Sequence, residues 1–108
     1  AQVKAKAQEH LRMLRELGVA MGARVTVVVP PVGAAVFLED AILEAGRDVG
    51  VTVLRPVASG AYGAELFRDG FHLTEEGARR YTPELGRALR ATIFTLAGST
   101  PAGSTPAR

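Results

Sequence analysis

The sequence predicts an α/β fold with parallel strands, and three observations indicate it. Two short β-branched runs, "VTVVV" at 25–29 and "VTVL" at 51–54, each follow an amphipathic helical segment. Both runs are apolar on their two faces rather than alternating, which is typical of parallel strands covered by helices on each side. The order helix, strand, helix, strand is the order in which a parallel sheet is assembled.

The first half of the chain contains two similar helix and strand units. Apolar residues that recur every three or four positions predict a helix over Gln2–Met21, with Gly22 as its C-terminal cap. A second helix is expected over Ala34–Val49, with Glu39 among its water-facing residues and Gly50 at its end. The two units share a spacing: Glu16, Gly18 and Gly22 match Glu44, Gly46 and Gly50.

A long connection follows the second strand, which Pro56 closes. It reads "VASGAYGAELFRDGFHL", has little periodicity, and is expected to contain one short helical turn around Ala64–Phe67. A connection of this length inside a compact domain is usually functional or mobile. It also lies at the carboxyl end of a strand, where open α/β sheets place their sites.

The last part of the sequence is predicted to be helical and then disordered. Thr74 is typical of a helix N-cap. Because proline is unfavourable inside a helix, we expect Thr82 and Pro83 to begin a separate final helix that ends near Leu96. Residues 97–108 repeat the pentapeptide AGSTP, which predicts a disordered tail.

Composition excludes several classes of protein. At 108 residues and 47% hydrophobic content, the chain is at most one domain. A net charge of +2, without any basic block, argues against a nucleic-acid partner. The absence of cysteine excludes a disulfide scaffold and a thiolate metal site. No apolar run approaches the roughly 20 residues of a membrane span, so we expect no membrane contact within this segment.

Two strands are too few for an ordinary parallel sheet, which usually has about four to six. The simplest explanation is that residues 1–96 are the C-terminal portion of a larger α/β domain whose N-terminal part is missing. The alternative is a self-contained miniature domain that dimerises through its exposed strand edges.

An acid and a histidine, Asp69 and His72, lie three positions apart in the long connection. Histidine is suited to proton transfer near neutral pH, and a carboxylate that accepts a hydrogen bond from one ring nitrogen improves the other as a base. Gly70 permits a tight turn that would bring the two side chains together. The simpler interpretation is that Asp69 and Gly70 form a turn and that His72 is a solvated loop residue.

The stretch "FRDGFHLTEEGARRYTPEL" resembles the last conserved block of the SGNH (GDSL-type) serine hydrolases, in which Asp-x-x-His precedes Leu-Thr or Leu-Asn, two variable residues and a glycine. The matching positions are Asp69, His72, Leu73, Thr74 and Gly77. The resemblance implies that His72 is a catalytic general base and Asp69 its orienting carboxylate. It also implies a partial flavodoxin-like, three-layer fold, no cofactor, a small-molecule or polysaccharide ester substrate, and an extracytoplasmic location.

The chain departs from that family in its remaining motifs. It has no Gly-Asp-Ser block and no asparagine, so the nucleophile and part of the oxyanion hole are absent, and the segment alone should be inactive. Ser59, the one serine before the tail, is a candidate substitute nucleophile, although a loop serine needs no such role. The alternative function is a non-catalytic α/β interaction or ligand-binding domain.

Two further groups of residues have a functional and a structural interpretation. Tyr62, Phe67 and Phe71 could line an acyl pocket, or they could pin the connection to the core. A metal site at Asp69 and His72 would need a third ligand. His10 is far away in the sequence and Glu65 is the other candidate, but no metal is expected.

Overall fold

The computed structural model describes residues 2–33 and 38–98, and it has a mixed α/β architecture. Two three-residue strands pair in parallel, with Val27 opposite Val53. The parallel pairing predicted from the two β-branched runs is therefore confirmed. In chain order the elements are α1 (Gln2–Met21), β1 (Thr26–Val28), α2 (Leu38–Val49), β2 (Thr52–Leu54), a 3₁₀ turn (Ala64–Leu66) and α3 (Glu75–Gly98).

The two helices before the strands end in the same way, which explains the matching glycine spacing. Gly22 and Gly50 have φ values of +71° and +77°, a left-handed conformation that glycine adopts without strain. The N–H of Ala23 donates to the carbonyl of Gly18 (2.8 Å), and the N–H of Val51 donates to that of Gly46 (2.9 Å). Each helix therefore closes with a Schellman-type cap before the chain turns into a strand.

The earlier glycine of each unit, Gly18 or Gly46, allows the helix to approach its strand closely. A Cβ atom on Gly18 would lie 2.8 Å from Cγ2 of Val25, and one on Gly46 would lie 2.5 Å from Cγ2 of Val53. The buried apolar cluster forms where these helices meet the sheet. Its members are Leu11, Ala45, Val49 and Val51, with Ala7, Val27 and Val53 packed against them.

The sheet is less covered than the sequence predicts. All residues of β1 and β2 are half-buried, and the cluster joins the sheet to α1 and α2. α3 packs against the 3₁₀ turn. The described residues thus have the coarse α/β architecture, whereas the three-layer flavodoxin-like arrangement remains a prediction. No helix within residues 2–33 and 38–98 combines the length and apolar character needed to cross a bilayer.

The prediction that a new helix begins at Pro83 is wrong, because α3 runs from Glu75 to Gly98 without a break. Proline at this position removes one hydrogen bond to the carbonyl of Arg79. Pro83 and Arg79 are both exposed, so that carbonyl lies on the solvent side of the helix, where the loss is least costly. An ion pair between Glu76 and Arg79 supports the helix before Pro83, and one between Glu84 and Arg87 supports it after Pro83.

The predictions for the C-terminal tail and for the second helix are only partly covered by the described residues. Residues 97 and 98 belong to α3, while the rest of the predicted tail, 99–108, lies outside the described residues, as do positions 34–37 of the predicted second helix. The expectation that Glu39 faces water is wrong, because only 6% of its surface is exposed. Glu39 lies three residues before Ile42 and seven before Gly46. This spacing places it on the side of α2 that faces the protein.

Candidate functional site

The segment that contains Asp69 and His72 is a short antiparallel loop between the 3₁₀ turn and α3. Phe67 and Leu73 form an antiparallel bridge. Inside it, the N–H of Arg68 donates to the carbonyl of His72 at 2.8 Å. Gly70 at the tip has a φ of +87°, a conformation that a side chain would strain. The loop therefore reverses the chain between the acid and the histidine.

The carboxylate of Asp69 uses its two oxygens for two different purposes. Oδ1 accepts hydrogen bonds from the backbone N–H groups of Phe71 (2.9 Å) and His72 (2.8 Å), which stabilises the turn. Oδ2 lies 2.6 Å from Nδ1 of the His72 ring. The predicted contact between the two side chains is therefore present, and it is fixed locally by the turn.

The electrostatics of this pair determine which ring nitrogen carries a proton. The imidazole of His72 is the largest cause that lowers the pKa of the Asp69 carboxyl far below its usual 3.8, and the N–H groups of Phe71 and His72 add to it. An ionised carboxylate only accepts hydrogen bonds, so Nδ1 must be the donor. In the neutral ring, the lone pair is consequently on Nε2.

The free nitrogen of His72 is accessible. The side chain is 70% exposed, and that of Asp69 is 51% exposed. Nε2 has no hydrogen-bond partner among the residues that the structure describes. An oriented imidazole with an unoccupied basic nitrogen can accept a proton from a hydroxyl that is brought to it.

The residues that follow His72 hold the loop against the start of α3. Thr74 caps the helix, since its Oγ1 accepts from the N–H of Gly77 (3.1 Å). The N–H and the hydroxyl of Thr74 also donate to the carbonyl of Leu66, at 2.9 Å and 3.3 Å. A Cβ on Gly77 would lie only 2.5 Å from that same carbonyl oxygen and 2.9 Å from Cδ2 of Leu73. The Leu-Thr-x-x-Gly pattern is thus explained by local structure, since the threonine caps α3 and the glycine lets α3 pack closely against Leu66 and Leu73.

The loop lies beyond the carboxyl ends of both strands. The N–H of Gly33, which follows β1, donates to the carbonyl of Gly70 at 2.8 Å. The connection after β2 reaches the same region, because the N–H of Gly60 donates to the carbonyl of Val32 at 3.0 Å. This position agrees with the expectation that the site would lie at this end of the sheet.

The aromatic residues around the loop differ in their environments. Phe67 is 7% exposed and pins the loop to the protein, as in the structural interpretation. Phe71, next to His72, is 70% exposed, and Tyr62 is half-buried. These three side chains therefore do not share one buried environment, and an acyl pocket lined by all of them is not formed by the described residues.

Ser59 is buried and already hydrogen bonded. It is 9% exposed, its hydroxyl donates to Oε2 of Glu39, and its Oγ accepts from the N–H of Val32 at 2.9 Å. These contacts favour the structural interpretation of this serine.

Within residues 2–33 and 38–98, no three His, Asp or Glu side chains come together as metal ligands.

Sequence reasoning missed Glu39 and Arg55, which form a polar cluster with Ser59. Nη1 of Arg55 lies 3.4 Å from Oε1 of Glu39 and 3.0 Å from Oδ1 of the exposed Asp40. The signal that could have revealed Glu39 is its spacing, since Glu39, Ile42, Gly46 and Val49 follow a three-four-three pattern on one side of α2.

Comparison of the chain with protein-family models, with curated proteins and with solved structures finds no match. The family resemblance therefore depends on the Asp-x-x-His-Leu-Thr-x-x-Gly pattern and on its geometry. Function has to be argued from the chemistry of that loop.

Proposed function

We propose that this chain is the C-terminal catalytic segment of an SGNH-type serine hydrolase that acts on an ester or O-acyl group of a small molecule or polysaccharide. His72 is the general base and Asp69 is its orienting residue. The observation that supports this most strongly is the 2.6 Å contact between Nδ1 of His72 and Oδ2 of Asp69, together with an accessible Nε2. This is the arrangement that a histidine base requires.

The reaction assigns one task to each group. Nε2 of His72 takes the proton of a serine hydroxyl while the serine oxygen attacks the carbonyl carbon of the ester. The ring then carries a positive charge, which the ionised Asp69 stabilises through the Nδ1–H bond. When the tetrahedral intermediate collapses, the leaving alkoxide takes that proton from Nε2. Water or a second alcohol, deprotonated by the same nitrogen, then attacks the acyl carbon, and the bond to the serine oxygen breaks as that oxygen takes the proton back from Nε2.

The nucleophile in this proposal comes from outside the present chain. The hydroxyl of Ser59 is committed to Glu39 and its oxygen to the N–H of Val32, so it is not free to attack a substrate. The oxyanion donors of the resembled family are missing as well. We therefore expect the 108-residue chain alone to cleave esters hardly faster than free imidazole does.

The test uses a polypeptide in which this segment follows a Gly-Asp-Ser-bearing α/β portion. His72→Ala should lower kcat for p-nitrophenyl acetate on the order of 10²- to 10⁴-fold, because the proton acceptor is removed. His10→Ala is the matched control, since His10 lies on the exposed surface of α1. Unchanged turnover in the folded His72→Ala protein would remove His72 from the mechanism.

The non-catalytic alternative is supported by the backbone contacts of Asp69, which would shape the loop without any chemistry. Asp69→Asn distinguishes the two functions. Asparagine can keep both backbone hydrogen bonds through its side-chain oxygen, but its NH₂ group cannot accept from Nδ1 of His72. Catalysis should therefore fall while the loop remains folded. If the pair only shapes the loop, this substitution should change neither.

A further inference from the structure

Glu39 is a buried carboxylate at the start of α2, whereas the next residue, Asp40, is an exposed acid. The side chain of Glu39 is 8% exposed, whereas that of Asp40 is 70% exposed. Burying a carboxylate is unfavourable unless it is paired and hydrogen bonded. Glu39 has both kinds of partner, Arg55 on one oxygen and the Ser59 hydroxyl on the other. The pair formed by Glu39 and Ser59 therefore joins α2 to the connection after β2.

The hydroxyl of Ser59 extends this contact to the segment after β1. Its oxygen accepts from the N–H of Val32 at 2.9 Å, and the next residue, Gly60, donates to the carbonyl of Val32 at 3.0 Å. Both backbone polar groups of Val32 are thus held by two consecutive residues. A residue whose N–H and carbonyl are both hydrogen bonded has little freedom to move.

The next residue along the chain reaches the candidate catalytic loop. The N–H of Gly33 donates to the carbonyl of Gly70 at 2.8 Å, between Asp69 and His72. A Cβ on Gly33 would lie 3.3 Å from that carbonyl oxygen, so the two backbones are in close contact. A continuous series of hydrogen bonds therefore connects buried Glu39, through Ser59 and Val32, to the tip of the loop.

We propose that Glu39 and Ser59 are positioning residues that fix the Asp69–His72 loop relative to the sheet, through Val32 and Gly33. Asp69 orients the imidazole only within its own turn, since its contacts are all to residues two or three positions away. The bond from Gly33 ties that turn to the strand ends. A role of these residues in catalysis rests on the proposed function, but the hydrogen-bonded connection from Glu39 and Ser59 to the loop does not.

The test is hydrogen exchange of backbone amides in the full chain, measured by NMR. Ser59→Ala removes the acceptor for Val32 and the donor to Glu39, so exchange at Val32 and Gly33 should accelerate by at least about tenfold. The ring signals of His72, thirteen positions away in sequence, should shift as well. Ser59→Thr keeps the hydroxyl and should restore both readouts. Val51, whose N–H bonds to Gly46, is the internal reference at the other end of the strands.

Asp40→Asn is the matched control, because it removes an exposed partner of the same Arg55 and should leave exchange and ring signals unchanged. Unchanged exchange at Gly33 in Ser59→Ala, or an unshifted His72 ring, would overturn the link. An equal acceleration at Val51 would also overturn it, since the whole fold would then be responding. Loss of ester cleavage in His72→Ala bears on the proposed function alone, so the two can fail separately.

Discussion

Gly77 in the first turn of α3 offers the sharpest test of how the loop is packed. Replacing glycine with alanine inside a helix normally stabilises a protein by about 1 kcal/mol. At this position the new methyl carbon would lie 2.5 Å from the carbonyl oxygen of Leu66, whereas at least 3.0 Å is needed. The start of α3 must then move by about 0.5 Å, away from the carbonyl to which Thr74 donates.

The magnitude follows from these opposing effects. Overpacking against backbone costs about 1–3 kcal/mol, and the helix preference for alanine returns about 1 kcal/mol. The free energy of unfolding should therefore fall by up to about 2 kcal/mol, and each kcal/mol lowers Tm by roughly 4–8 °C in a domain of this size. Thermal and urea denaturation followed by circular dichroism measure both quantities.

Gly86→Ala is the matched control in the same helix. A Cβ there meets nothing within 4 Å, so the substitution should raise the free energy of unfolding by about 0.5–1 kcal/mol. The two variants should thus change stability in opposite directions. If Gly77→Ala proved as stable as Gly86→Ala, the close contact between α3 and Leu66 would be refuted.

Three other substitutions test the cap, the carboxylate and the core. Thr74→Ala should lower the free energy of unfolding by about 1 kcal/mol through loss of the N-cap, with Thr74→Ser nearly native in urea denaturation. His72→Ala should raise the pKa of the Asp69 carboxyl toward its usual 3.8, because the imidazole is the largest cause of its lowering; a ¹³C carboxyl titration that gave the native value would contradict this. Since the folded pKa lies below the unfolded one, the stabilising effect of Asp69 is complete above about pH 4 and is lost only at lower pH. Leu11→Ala should cost about 2–4 kcal/mol because that side chain is 5% exposed, whereas Leu14→Ala, 41% exposed, should cost far less in the same assay.

Local patterns predicted much of the fold. The bounds of α1, the parallel pairing, the 3₁₀ turn and the Thr74 cap all follow from periodicity and end signals within a few residues. The break at Pro83 was wrong because the rule against proline assumes that the lost hydrogen bond matters equally everywhere. In α3 that bond lies on an exposed side, and flanking ion pairs support the helix.

In the candidate site, contacts between residues close in sequence could be predicted, whereas contacts between distant residues could not. Asp69 and His72 are close in sequence with Gly70 between them, so their contact could be predicted. The contacts of Glu39, Ser59 and Gly33 could not be predicted, because they join residues 20 to 37 positions apart in the chain and only the fold brings them together. Glu39 is expected to face water because it is charged. That expectation is wrong because Glu39 is buried against Arg55 and Ser59, which pair with its charge.

The central claim is that Asp69 holds the imidazole of His72 with Nε2 as its basic nitrogen. Long-range ¹H–¹⁵N correlation of the ring nitrogens, recorded where the ring is neutral, tests it directly, and exposed His10 in the same spectrum is the reference. We expect the proton of His72 on Nδ1 and the lone pair on Nε2, with that preference lost in Asp69→Asn. A proton on Nε2, or an identical tautomer in the native chain and in Asp69→Asn, would contradict the claim.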